Sequence, residues 1–128
     1  MEINELVMLA HENAVNHGFY EKKPEIASQL MLIVTELSEA CEADRKNRHF
    51  SANPKLLLQS RIEDHEIDQK SYDKAFKEQN KDTFEDELSD AVIRICDLAG
   101  YLDIDLESHI QAKMLYNKNR PYKHGKEY

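Results

Sequence analysis

The sequence predicts an all-α protein, and three observations predict it. Glycine and proline number only three each in 128 residues, so few turns punctuate the chain. Apolar residues in the longest patterned stretches recur at alternating steps of three and four, the period of a helix with one buried face. The composition, 41% hydrophobic and 33% charged, suits helices that bury one side and solvate the other. The length corresponds to one domain, residues 1–128, large enough to bury a core without staples.

The first helix is expected over residues 3–16, on Ile3, Leu6, Val7, Ala10 and Ala14. It stops at Asn16-His17-Gly18, where Gly18 can take the left-handed cap conformation. Phe19 and Tyr20 follow. They read either as aromatics closing the end of the core or as a stacking surface for a planar ligand, and His11 as a partly buried histidine or a ligand contact. Pro24 opens the second helix, which runs to about Asn47 along a seam of Ile26, Leu30, Ile33, Leu37 and Ala40. Glu36 and Glu39 stand one residue before seam positions, one turn apart on one edge.

Residues 48–82 break the pattern. Asn53-Pro54 marks a turn, Leu56-Leu57-Leu58 is a short apolar run, and the rest is dense in charge. Only Tyr72, Ala75, Phe76 and Gln79 suggest a short helix, so the stretch reads as a long insertion. The next helix, capped by Asp82 or Thr83, runs to about Gly100 on Phe84, Leu88, Ala91, Ile95 and Leu98. Glu87 and Asp90 precede seam residues there, as Glu36 and Glu39 do in the second helix. Asp105 caps the last helix, about residues 106–119, with Ile110 and Met114 inward. Lys113, Asn117 and Arg120 recur on a neighbouring face, and RPYKHGKEY is the one basic patch.

The net charge of −8 argues against binding a nucleic-acid polymer. Acids interrupt the apolar residues of the N-terminus, so no signal peptide is expected, and no stretch reaches membrane-spanning length. Cys41 and Cys96 sit inside helical patterns with no C-x-x-C pair. They read as buried reduced thiols of a cytoplasmic protein.

If the two acid-bearing helices pack antiparallel, Glu36, Glu39, Glu87 and Asp90 converge beside an apolar core. Such a cluster is repulsive unless it is protonated or holds divalent cations. A purely carboxylate set suits Mg²⁺, or Mn²⁺, better than zinc. No histidine stands three residues after a Glu, so the Glu-x-x-His pattern of di-iron bundles is absent. With Lys113, Asn117, Arg120 and Lys126 as donors toward a polyphosphate, the set suits metal-assisted phosphoanhydride hydrolysis.

Glu36-x-x-Glu39, then Glu87-x-x-Asp90 within DELSDAVIRICDLAGYLDIDL, then Lys113-x-x-x-Asn117-x-x-Arg120 and a closing HGK resemble the MazG-like, all-α nucleoside triphosphate pyrophosphohydrolases. The resemblance spans roughly residues 3–47 and 83–126. It implies a four-helix-bundle type of fold, with residues 48–82 inserted between the two metal-ligand helices. It implies that Glu36, Glu39, Glu87 and Asp90 bind Mg²⁺ and carry catalysis, and that a nucleoside triphosphate is cleaved to the monophosphate and pyrophosphate. Lys113 and Asn117 then contact substrate, with Arg120, Lys126, His11 and Phe19 as further candidates. One of the four acids, or a water held by one, serves as general base. A homodimer or homotetramer is also implied. The chain departs from the family pattern in having Thr35 where many relatives carry another Glu, and in its longer gap between the acidic motifs. Two other readings remain: a helical interaction protein that uses residues 48–82, and a hydrolase of another phosphorylated small molecule.

Overall fold

The computed structural model describes residues 1–63 and 69–125. Among them lie six α-helices and no strand, in keeping with the all-α expectation. They are α1 (Ile3–Asn16), α2 (Ile26–Arg45), α3 (Pro54–Glu63), α4 (Gln69–Gln79), α5 (Phe84–Tyr101) and α6 (Leu106–Lys118), with a 3-10 turn at Tyr122–Gly125. None of these helices is long and apolar enough to cross a membrane. The chain forms two compact units, Met1–Gln29 with Ile93–Tyr128, and Leu30–Val92.

In the first unit, α1 packs on α6 and on the last two turns of α5. Val7, Ala10, Cys96 and Ala99 form its core, with Ile3, Leu6 and Leu106 against them. These residues are small because the backbones approach closely: a Cβ on Gly100 would meet His11 Cβ at 2.6 Å and the Val7 carbonyl at 3.2 Å. α5 ends at Tyr101, within one residue of the expected end near Gly100, and Gly100 itself is helical. Its requirement is space, not a turn. The α1 exit follows the expected pattern. Gly18 has φ of 83°, and the Phe19 and Gly18 amides donate to Ala14 and Val15, a Schellman cap. At the other end Asp105 accepts from the Ser108 amide at 3.2 Å, capping α6, and Glu107 accepts from the orphan Ile3 amide at 3.0 Å.

In the second unit, the α2 residues that turn inward are Ile33, Glu36, Ala40 and Ala43. This corrects the expected seam. Ile33 and Ala40 belong to it, but Ile26, Leu30 and Leu37 are about half exposed, and Glu36 takes a buried place. The helix face is rotated so that a carboxylate, not leucine, lies inside. On α6, Met114 is likewise exposed and not inward, while Ile110 is half-buried. Cys41 is exposed and Cys96 buried, both as free thiols, so the expectation of two buried cysteines holds for Cys96 alone.

The α2 exit and α5 entry are strapped together. Asn47, at φ 56°, ends α2, and the Phe84 amide donates to the Arg48 carbonyl at 2.9 Å. His49 bonds Asp44 at 2.9 Å and Glu85 at 3.1 Å, while the Phe50 amide donates to Glu85 at 2.8 Å. The bonds to Asp44 and Glu85 raise the His49 pKa above its ordinary value. Thr83 caps α5, its hydroxyl accepting from the Asp86 amide at 3.2 Å. Asp82 instead takes a left-handed φ of 63° before the cap. Within the stretch that reads as irregular with one short helix, Pro54–Glu63 and Gln69–Gln79 form the helices α3 and α4, which pack on one another. Tyr72, Ala75 and Phe76 give α4 its half-buried stripe, as their spacing predicts. His65 and the rest of residues 64–68 lie outside the described residues.

Candidate metal centre

The strap between α2 and α5 places their acidic pairs on one cleft of about 460 Å³, whose lining includes Glu36, Glu39, Asp86, Glu87 and Asp90. Carboxylate oxygens of Glu36, Glu39 and Glu87 all lie within 4.8 Å of one another. Glu36 and Glu87 are buried, Glu39 is exposed at the edge, and Asp90 is half-buried. Three of the four acids of the paired motifs thus form a cluster of metal-binding size, and the fourth lines the same cleft.

Electrostatics show what holding these acids together costs without a cation. The Glu87 carboxyl is pushed up from its ordinary 4.5 to about 7. Burial is the largest cause, followed by the Glu39 charge, the hydrogen bond to Glu36 and the charges of Asp90 and Glu36. At neutral pH Glu87 is therefore divided between its protonated and ionised forms, and a proton shared toward Glu36 occupies ground that a divalent cation could take. The donor set is all oxygen, with no sulfur or imidazole, and this fits Mg²⁺ or Mn²⁺.

A second trio, Asp82, Asp86 and Glu87, also has carboxylate oxygens within 4.8 Å. Asp86 already has local work there. It accepts from the Asp82 amide at 2.9 Å and from the Asn80 side chain at 3.4 Å, so it satisfies the polar groups of the turn before α5. Asp86 belongs to neither of the paired acidic motifs. Its one available signal was the Thr83-x-x-Asp86 spacing, a variant of the capping box.

The substrate-side candidates belong to the first unit. His11 Nδ1 lies 3.0 Å from Asp97, and the Tyr20 hydroxyl donates to the same carboxylate oxygen at 2.8 Å. The Tyr20 ring meets His11 edge-on at 4.8 Å and lies 4.9 Å from Tyr101. Burial, then the Asp97 hydrogen bond and charge, hold the Tyr20 hydroxyl well above its ordinary pKa. His11 is thus a satisfied, partly buried side chain, and Tyr20 closes the core end; Phe19, at 71% exposure, does not. Lys113 and Arg120 gather at the Tyr116 ring, 4.8 and 5.4 Å from its centre, and Asn117 is exposed on the same helix. Lys126 lies outside the described residues. Compared with known proteins, the chain matches no family model, no curated protein and no solved structure.

Proposed function

We propose that this protein is a Mg²⁺-dependent nucleoside triphosphate pyrophosphohydrolase of the MazG-like, four-helix-bundle kind. The observation that carries the reading is the gathering of Glu36, Glu39 and Glu87 oxygens within 4.8 Å, with Asp90 on the same cleft. The motif resemblance supports it: two acidic pairs on two helices, followed by Lys113, Asn117 and Arg120.

Glu36, Glu39, Glu87 and Asp90 are the residues that hold the ion. Bound there, Mg²⁺ supplies charge neutralisation at phosphate oxygens and polarises a water. The carboxylates divide the remaining work by exposure. Glu36 and Glu87, buried and hydrogen-bonded to one another, anchor the centre; Glu39, at the solvent edge, is placed to accept a proton from the attacking water. Water attacks the α-phosphorus, the bond from that phosphorus to the α,β-bridging oxygen breaks, and pyrophosphate leaves with the electron pair. On the substrate side, Lys113, Asn117, Arg120, Lys126 and Phe19 are the candidate contacts, while His11 is engaged with Asp97. The exposed free thiol of Cys41 suits a reducing, cytoplasmic setting.

Phosphorus NMR of reactions with Mg²⁺ and a panel of nucleoside triphosphates tests the chemistry. Monophosphate and pyrophosphate are expected. Diphosphate and orthophosphate would place cleavage at the wrong bond, and turnover only of other phosphorylated small molecules would favour the alternative hydrolase. No turnover with metal bound would favour the helical interaction protein.

Assembly follows from the rotated helix faces. In the second unit, Leu30, Val34 and Leu37 of α2, and Leu88 and Val92 of α5, are each 40% exposed or more, at helical spacings that leave apolar stripes open. A second copy of the chain covers such stripes in a homodimer or homotetramer. Light scattering at micromolar concentration should return two or four times the 15.0 kDa chain mass. A monomer would remove this part of the proposal.

A further inference from the structure

We propose that the acidic cleft takes the phosphate chain of its substrate through α4, with Lys77 and Lys81 as the cations that bind phosphate oxygens. This rests on the metal-centre reading and adds to it the surface that recognises the anion. Carboxylates alone attract a cation but repel a polyphosphate, so a cleft that binds both must carry positive charge of its own. The cationic lining of this cleft among the described residues is Lys77, in the last turn of α4, and Lys81, just beyond it. Neither lies within ion-pair distance of a carboxylate among the described residues, although Asp73 and Asp82 line the same cleft. Their ammonium groups therefore keep donors available for an incoming anion.

The two lysines are tied to the metal ligands by the turn that follows α4. The amides of Asn80 and Lys81 both donate to the Phe76 carbonyl, at 2.8 and 3.0 Å, closing the helix. Asn80 and Asp82 then bond to Asp86, a buried side chain one residue before Glu87. One carboxylate thus fixes the lysine-bearing turn to the start of the helix that carries Glu87 and Asp90. Seven carboxylates line the cleft against these two lysines, so it repels a free polyphosphate, and a divalent ion lessens that repulsion without cancelling it. The ligand class is accordingly a polyphosphate in its metal-bound form, nucleoside or inorganic, and its binding requires the metal.

Inorganic triphosphate, which has no base or sugar, is the probe. Its affinity is measured by calorimetry with saturating Ca²⁺, and Mn²⁺ binding is followed separately by electron paramagnetic resonance. In Lys77→Ala/Lys81→Ala the triphosphate dissociation constant should rise on the order of a hundredfold, about tenfold per charge-assisted contact. Mn²⁺ should still bind, and Lys77→Arg/Lys81→Arg should recover most of the loss. Unchanged triphosphate affinity in the alanine variant, with Mn²⁺ bound, would overturn the lysine assignment and leave the metal centre standing. An arginine variant as weak as the alanine one would overturn it too, because charge would not be what was lost. A wild-type protein that binds no Mn²⁺ would instead remove the metal-centre reading, and this inference with it.

Discussion

Glu39→Gln lowers turnover by at least about a hundredfold while leaving the Michaelis constant within a few-fold of the parent, as expected when a general base or anionic ligand is lost. The amide matches the carboxylate in size, so packing at this exposed position is undisturbed, but it neither accepts the proton of an attacking water nor supplies a negative ligand. Glu39 also acts on Glu87, whose carboxyl it helps to push up. Neutralising it therefore leaves Glu87 easier to ionise and the remaining cluster less repulsive. Substrate binding, a ground-state interaction, has no reason to collapse. Lys113→Ala should show the opposite split, a raised Michaelis constant with turnover within a few-fold, because a charge-assisted phosphate contact exists before the reaction begins. Steady-state kinetics on the two variants, with Mg²⁺ saturating, separates them. A Glu39→Gln enzyme of near-parental turnover would take Glu39 out of the chemistry, and a fall in turnover with an unchanged Michaelis constant for Lys113→Ala would mean that it acts only in the transition state.

Local signals were legible in the chain. The α1 seam, the Gly18 exit, the Thr83 cap and the Asp105 cap all depend on neighbours a turn or two away, and all lie where their spacing predicts. The inward face of α2 was not legible. Counting apolar residues selects Leu30 and Leu37, whereas the fold turns Glu36 and Ala43 inward, and an acid becomes tolerable there through its hydrogen bond with Glu87. That bond joins residues fifty-one positions apart, beyond the reach of any local period. Gly100 marks the helix end to within one residue, but the close approach of α1 that demands a glycine there is a long-range contact no local spacing reveals. In α4 only Tyr72, Ala75 and Phe76 make a thin apolar stripe and the rest of the helix is polar, so the stretch reads as an insertion, yet α4 and the following turn contribute Phe76, Lys77 and Lys81 to the cleft. Pairing of Glu36-x-x-Glu39 with Glu87-x-x-Asp90 was readable because each motif repeats one relation to its own helix.

Saturating Mg²⁺ or Mn²⁺ raises the melting temperature by about 10 °C at a hundredfold excess over the dissociation constant, the shift expected from roughly 2.7 kcal/mol of linkage in a domain of this size. The size of the response depends on pH in a direction set by Glu87. Its carboxyl ionises at about 7 in the folded protein against an ordinary 4.5. Between those values the native state holds a proton that the unfolded chain has released, so metal-free stability falls as pH rises through the window and levels off above it. Metal replaces that proton, so its stabilisation should grow over the same window and flatten the loss. Glu36→Gln/Asp90→Asn removes two charges from the cluster. The metal-free variant should melt no lower than the parent near pH 8, because the amide at position 36 can still hydrogen-bond Glu87 while repulsion is relieved. It should gain little or nothing from Mg²⁺. Thermal melts of both proteins at pH 5, 6.5 and 8, with chelator or with Mg²⁺, give the comparison. Equal stabilisation of parent and double variant would move the ion elsewhere on the protein, and a metal-free stability that rises from pH 5 to 8 would contradict a Glu87 carboxyl raised to about 7.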